Sequence, residues 1–363
     1  MSLFVLMAGG TGGHLFPAMA LAQELQRRGH TIHLMTDHRV TGYGQQFPAD
    51  DIHIVPSATP SIGNPVKLVT AGVKIAWGTS TAMRMLRKIR PDAVIGFGGY
   101  PTFPPMLAAS ILGIPGILHE QNAVMGRANR ALGRFARVLA KSFAETKYSE
   151  SFKGEIVLTG NPVRDRVRAV ADTPYPVLGP DSPFKLVVFG GSQGARAFAD
   201  IVPPALAQLP ADIRARLQLV QQCRAEDIDR VTEAYRLAKI NVELAAFFAD
   251  MPERIAQGHL VIGRAGASTI AELTVIGRPA ILIPLPGAID ADQANNARVV
   301  EAAGGGWLKE QATLSPLSLA SSLEDLIRAP DRLVAAAAAS KSLGKPEAVE
   351  HLATLAERVG ART

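Results

Sequence analysis

The sequence predicts an α/β protein of two lobes, each built on a parallel sheet, with a cleft between them. A hydrophobic strand runs straight into a glycine-rich loop twice: Leu3–Ala8 feeds GGTGGHLFP (Gly9–Pro17) and Lys185–Phe189 feeds GGSQGAR (Gly190–Arg196). Each half of the chain alternates apolar strands with helical stretches, the βαβ pattern of a sheet covered on both faces. A length of 363 residues exceeds what one core usually supports, and 47% hydrophobic with 19% charged residues is ordinary globular composition.

Taken in order, the first half reads as strand FVLMA (Phe4–Ala8), a helix from about Pro17 to Arg28, strands HTIHLMTD (His30–Asp37) and IHIV (Ile52–Val55), a helix over 65–90, and strands DAVIGF (Asp92–Phe97) and IPGILHE (Ile114–Glu120). Pro, Gly and Asp gather at Thr173–Pro183, but the sharper break is Thr159-Gly-Asn-Pro-Val-Arg164, so the hinge is expected near Asn161 and Pro162. The second half repeats the pattern with KLVVF, RLQLV, NVELAAFF, HLVIG and PAILIPL. The alanine-rich run Val334–Ala339 reads as helix. The expected lobes are 1–161 with about 345–363, and 162–344.

Composition excludes several classes. The lone Cys223 cannot form an intrachain disulfide and reads as inert; no CxxC, HExxH or Cys/His cluster offers a metal site, so a reducing compartment is expected. The chain opens almost at once on its first strand, and no secretory signal is expected. A net charge of +6 is spread without a zinc finger, RNP motif or long basic run, so no nucleic-acid partner is expected, and an anionic membrane surface or phosphorylated ligands fit better. The local candidate is 65–91, where Val66, Val69, Val73 and Trp77 recur at helical spacing among Lys67, Lys74, Arg84, Arg87 and Lys88. Two readings fit: an amphipathic helix lying on anionic lipid, and a helix packed on the sheet with a solvated basic face. No apolar run reaches the roughly 20 residues needed to span a bilayer.

The first glycine loop fails the better-known signatures. After Gly10-Thr11-Gly12, a dinucleotide GxGxxG needs glycine at position 15, where Leu15 stands, and neither loop ends in the GK[ST] of a P-loop. Asp37 closes the second strand, where a ribose-binding acid or a turn residue would both fit. In the second half, Gly263-Arg-Ala-Gly-Ala-Ser-Thr-Ile-Ala-Glu272 sets small residues between a strand and a helix. Gly266, Ser268 and Thr269 can expose N–H donors to a pyrophosphate at the helix N-terminus, and Glu272 a turn later can accept from a ribose diol or stand as a surface charge. Gln293, beyond Pro284-Leu-Pro-Gly, can read sugar hydroxyls, and Asp290-Ala-Asp292 is a weak DxD.

Together, GGTGGHLFPA, GFGGYPT (Gly96–Thr102), HEQN (His119–Asn122), GNPVR (Gly160–Arg164), GGSQGAR, GRAGASTIAEL and DQANNA follow one another over almost the whole chain. In this order they closely resemble the MurG family of peptidoglycan N-acetylglucosaminyltransferases. The resemblance implies two Rossmann-like lobes in the GT-B arrangement, UDP-N-acetylglucosamine as donor, lipid I as acceptor, lipid II formed with inversion, and residence on the cytoplasmic side of the bacterial inner membrane as a peripheral protein. It implies donor contacts from Thr11, Gly12, Gly13, Asn122, Arg164, Ser192, Ser268, Glu272 (ribose), Gln293 (N-acetylglucosamine) and the backbone near Phe248 (uracil). Tyr100 and Asn129 fall on the acceptor side with His14 and Glu120, and the last helix, about Pro346–Val359, is expected on the N-terminal lobe. Ala265 stands where serine is common in the family, and Asp292 where Gln or His is usual.

Charge development then assigns roles. N–H groups and helix dipoles stabilise the departing UDP in place of a metal, and no cofactor is expected. His14 is the expected base for the acceptor C4 hydroxyl, with Glu120 as rival, and His119 is expected to support its loop through a hydrogen bond. Three other classes stay open on sequence: a nicotinamide oxidoreductase, a membrane-associated nucleotide-sugar binding protein without turnover, and a sugar-nucleotide epimerase.

Overall fold

The computed structural model describes residues 1–9, 12–38, 47–59, 65–179, 182–191, 194–288 and 290–361, with 65–68 described by backbone alone. The chain divides into two compact units, Met1–Arg164 with Pro346–Thr363, and Asp165–Lys345.

Unit 1 begins β1 (Leu3–Met7), α1 (Gly12–Arg27), β2 (Thr31–Thr36), β3 (Asp51–Ile54), α2 (Pro65–Ile89), β4 (Ala93–Gly96), α3 (Phe103–Ile111) and β5 (Gly116–Glu120). It continues through α4 (Arg127–Leu132), β6 (Val138–Lys141) and β7 (Glu155–Leu158). Its seven strands lie in the order β3-β2-β1-β4-β5-β6-β7, and every pairing is parallel. β1, β4 and β5 are buried on both faces, which explains their continuous apolar runs. One face packs on α1 through Leu15, Leu21 and Leu25, the other on α2 and α3 through Ala82, Leu86 and Met106.

Unit 2 runs α5 (Asp165–Ala169), β8 (Phe184–Phe189), α6 (Arg196–Ala207), α7 (Ala211–Arg216), β9 (Leu217–Gln222), α8 (Ile228–Ala238), β10 (Val242–Ala245), α9 (Met251–Gln257) and β11 (Leu260–Gly263). It then runs α10 (Ala267–Ile276), β12 (Ala280–Leu282), α11 (Asp292–Ala302), β13 (Gly306–Leu308), α12 (Pro316–Ile327) and α13 (Pro330–Ser342). Its sheet order is β10-β9-β8-β11-β12-β13, again parallel. Arg278, 1% exposed, bonds the carbonyls of Thr173, Pro174, Ala256, Ile276 and Gly277, so carbonyl dipoles neutralise a buried cation and tie 173–174 to the end of α10. The last helix, α14 (Ala348–Gly360), belongs to unit 1: Glu357 takes hydrogen bonds from Arg28 and His30 at 2.8 Å each.

The structure departs from the sequence reading in three places. α1 begins at Gly12, five residues before Pro17, so the end of the first glycine loop is itself the helix N-terminus and its N–H groups have no partner within the helix. β6, β7 and β13 were not expected; they are four, four and three residues long, too short for a readable period. The units part after Arg164, a few residues beyond the Asn161-Pro162 break.

Candidate active site

In each sheet the strand order reverses direction beside the first strand of its unit: β1 is flanked by β2 and β4, and β8 by β9 and β11. Loops leaving the carboxyl ends of strands at such a point diverge and leave room for a ligand. In unit 1 these are the segments after β1, β4 and β5, which carry His14, Gly98–Gly99 and Gln121–Asn122.

Gln121, 1% exposed, organises them. Its Nε2 lies 2.9 Å from the Phe97 carbonyl and 3.0 Å from His119 Nδ1, which turns Oε1 toward His14 Nδ1 at 3.3 Å. An amide oxygen can only accept, so the His14 proton in this contact sits on Nδ1, and a neutral His14 ring would then hold its lone pair on Nε2. His119, fully buried, donates Nε2–H to the Gly160 carbonyl at 3.0 Å and accepts on Nδ1. Burial holds its pKa down at about 4, so it stays neutral. Gly98 and Gly99 adopt φ of +86° and +74°, and a side-chain carbon at either would lie 3.4–3.5 Å from the His14 ring. These two glycines let the β4 loop curl over the imidazole.

Glu120, the rival base on sequence, is enclosed by hydrogen-bond donors. It is 1% exposed, and its oxygens accept from Asn122 N (3.0 Å), Asn122 Nδ2 (3.4 Å), Gly126 N (2.9 Å) and Asn129 Nδ2 (2.8 Å). Burial pushes its pKa up, against four donors that favour the ionised form. With both oxygens accepting, the carboxylate ties Asn122, Gly126 and Asn129 together. Asn129, 2% exposed, also donates to the His119 carbonyl at 3.2 Å, so its amide is part of the same brace. Tyr100 is partly exposed beside Gly99, Gly12 is buried and Gly13 exposed at the start of α1, and the Arg164 guanidinium lies 4.8 Å over the Phe16 ring. Asp37 is 7% exposed and accepts from Ser57 at 3.4 Å, a loop contact.

In unit 2 Gly266 caps α10 in extended conformation, and a side-chain carbon there would meet open space beside a helix N-terminus whose first N–H groups have no partner within the helix. Glu272 is 7% exposed in the second turn of α10, which rules out the surface-charge reading. Gln293 Oε1 accepts from Leu285 N at 2.9 Å, so the group it can offer a sugar is its amide NH2. Phe248 is 8% exposed under the Arg254 guanidinium at 4.4 Å. Arg264 bonds the Ile283 and Pro284 carbonyls and Gln311, setting the strand that precedes the Gln293 loop. Burial raises the Cys223 thiol to about 11, which keeps it protonated and unreactive. Thr11 and Ser192 lie outside the described residues.

α2 is packed along one half and exposed along the other. Its C-terminal half packs into unit 1 through Ala82 and Leu86, while Val69 (67%), Val73 (66%) and Trp77 (60%) form an exposed apolar stripe on its N-terminal half. Lys74, Arg84, Arg87 and Lys88 are also exposed. No helix among the described residues is long and apolar enough to cross a membrane.

Comparison with known proteins bears on both units. Residues 4–140 match the glycosyltransferase family 28 N-terminal domain and residues 185–352 its C-terminal domain. The chain is 53% identical over 97% of its length, and 95% of the relative's, to the UDP-N-acetylglucosamine–N-acetylmuramyl-(pentapeptide) pyrophosphoryl-undecaprenol N-acetylglucosamine transferase of Methylobacterium sp. strain 4-46. It is 52% identical over 97% of its length, and 95% of the relative's, to the protein of that name in Methylobacterium nodulans. Among solved structures, MurG of Acinetobacter baumannii superposes with a TM-score of 0.80 at 31% identity, covering 99% of this chain and 100% of that one.

Proposed function

The chain belongs to the MurG branch of glycosyltransferase family 28, and on that premise we propose that it transfers N-acetylglucosamine from UDP-N-acetylglucosamine to lipid I, forming lipid II for peptidoglycan synthesis. The observation that carries the chemistry is the Gln121–His14 hydrogen bond, which engages Nδ1 and leaves Nε2 as the nitrogen to take the proton. The acceptor C4 hydroxyl gives its proton to that nitrogen as its oxygen bonds the anomeric carbon. The bond from that carbon to the diphosphate breaks with its electron pair on UDP, and attack from the opposite face inverts the centre.

Negative charge then grows on the diphosphate. The free N–H groups of α10 behind Gly266, with the helix dipole, supply fixed positive potential for it, and Ser192 with its following amides is assigned the same work. Glu272 takes the ribose, the Gln293 amide the N-acetyl sugar, and the backbone near Phe248 the uracil. Thr11, Gly12, Gly13, Asn122 and Arg164 complete the donor contacts, and Tyr100 and Asn129 stand on the acceptor side. Unit 1 is accordingly the acceptor-facing and membrane-facing lobe and unit 2 the donor lobe. The Val69–Val73–Trp77 stripe with its flanking cations seats the protein on the anionic inner leaflet, where lipid I is found.

Transfer of labelled N-acetylglucosamine to lipid I in anionic vesicles, with and without chelator, tests this reading. Label in the lipid product under both conditions is the expected result. A protein that ignores UDP-sugars while binding another nucleotide tightly would overturn it.

A further inference from the structure

Parallel pairing of β2 with β3 sets His33 opposite Asp51 and Met35 opposite His53, so His33, Asp51 and His53 all project from one face of the sheet. His33 Nδ1 lies 3.0 Å from His53 Nε2, which in turn lies 3.5 Å from Asp51 Oδ2, and one donor atom from each residue falls within 4.8 Å of the others. Ligands about 2.0–2.1 Å from a tetrahedral zinc ion stand roughly 3.3 Å from one another, so these spacings describe three corners of such a site. We propose that His33, Asp51 and His53 form a divalent transition-metal site selective for zinc-like ions, with water as the fourth ligand. Two imidazoles and one carboxylate suit zinc better than the oxygen-seeking magnesium or calcium.

The surroundings fit that donor set. The His53 side chain is 16% exposed and Asp51 59%, so the imidazoles are held while the carboxylate side opens to solvent for metal entry and a bound water. Lys88, near the end of α2, acts electrostatically on His53, which makes the Asp51 carboxylate the group that lets the site accept a cation. The location is separate from the loops assigned to the reaction, which follow β1, β4 and β5: His33 is third in β2, and Asp51 and His53 are first and third in β3. There a metal would pin β3, the edge strand of the sheet, to β2.

The test uses untagged full-length protein, stripped with chelator and titrated calorimetrically with zinc chloride in a non-coordinating buffer. One equivalent bound at micromolar zinc, a raised thermal midpoint, and ligand-field bands of four-coordinate Co2+ at the same stoichiometry are expected. The double variant His33→Ala/His53→Ala, shown to be folded by circular dichroism and by unchanged UDP-N-acetylglucosamine binding, is expected to lose all three. Asp51→Asn, which keeps both imidazoles, is expected to weaken zinc binding by about tenfold or more. Absence of stoichiometric zinc binding by the folded wild type, or undiminished binding by the double variant, would overturn the proposal.

Discussion

The Gln121 side-chain oxygen accepts the Nδ1 proton of His14 at 3.3 Å, while the amide nitrogen of the same residue is held by the Phe97 carbonyl and by His119. One buried amide therefore fixes both the orientation and the tautomer of the imidazole across three loops. His14→Ala should lower kcat by about 10²- to 10⁴-fold, the usual contribution of a positioned base, with donor affinity little changed. Gln121→Met should lower kcat by roughly 10- to 100-fold, and adding it to His14→Ala should cost almost nothing more, because the two act as one unit. Steady-state kinetics on the two singles and the double checks this, and full additivity would break the coupling.

Glu120→Gln separates bracing from proton transfer. An amide in place of the carboxylate sets N–H against N–H among the donors from Asn122, Gly126 and Asn129, so stability should fall by about 1–3 kcal/mol in urea denaturation. The pH profile of kcat/KM in the folded protein should keep its shape. A vanished basic or acidic limb would return Glu120 to the catalytic role.

His119 makes stability depend on pH. Folded, its pKa is about 4 because burial disfavours the cation; unfolded, it returns to the ordinary value of about 6.5. Between these values the unfolded chain takes up a proton that the folded protein refuses. The contribution, on the order of 3 kcal/mol, is thus whole above the unfolded value and is lost as pH falls through the folded one. His119→Gln keeps one acceptor and one donor but does not titrate, so its stability curve should be flatter than wild type between pH 6.5 and 4. Parallel curves from denaturant titrations would contradict the assignment.

Gly98→Ala tests the loop over the imidazole. At φ +86° a side chain strains the backbone by about 1–2 kcal/mol, although the added carbon would make only an ordinary 3.4 Å contact with His14 Cε1. Relief of that strain shifts the loop against the ring, so kcat should drop about tenfold along with the loss of stability. A stable variant of full activity would show that the left-handed turn is dispensable.

Val73→Glu/Trp77→Glu probes the proposed membrane contact. Both side chains are already mostly in solvent, so folding stability should stay within about 0.5 kcal/mol of wild type. Partition onto anionic vesicles should fall by more than about tenfold, since each apolar group offers roughly 1.5–3 kcal/mol on burial. Turnover of vesicle-borne acceptor should fall with it, while UDP-N-acetylglucosamine binding stays. Sedimentation with vesicles gives the answer, and unchanged partition would move the lipid contact elsewhere.

The strands at the centre of each sheet were legible because burial on both faces demands unbroken apolar runs, as in Leu186–Phe189 and Leu260–Gly263. The edge strand β7 escaped the reading: Glu155–Leu158 is short and partly solvated, so its pattern resembles a loop. The start of α1 was misplaced because Gly12 and Gly13 have poor helix propensity, yet packing of Leu15 and Leu21 on the sheet carries the helix back to them. His14 drew notice as a histidine in a glycine loop. Gln121 did not, although it stands inside the HEQN string, because an amide shows its worth only through partners that come from other strands.

The linear order of residues determined that this protein has two parallel-sheet units and that glycine-rich segments follow the first strand of each, since local apolar runs and turn residues need no distant partner to be read. Tertiary structure alone decided that Glu120 is a brace, that Gln121 sets the proton on His14, and that His33, Asp51 and His53 face one another. Hydrogen bonds and ligand geometry depend on distances between residues far apart in the chain, and those distances exist only once strand register and packing have fixed them.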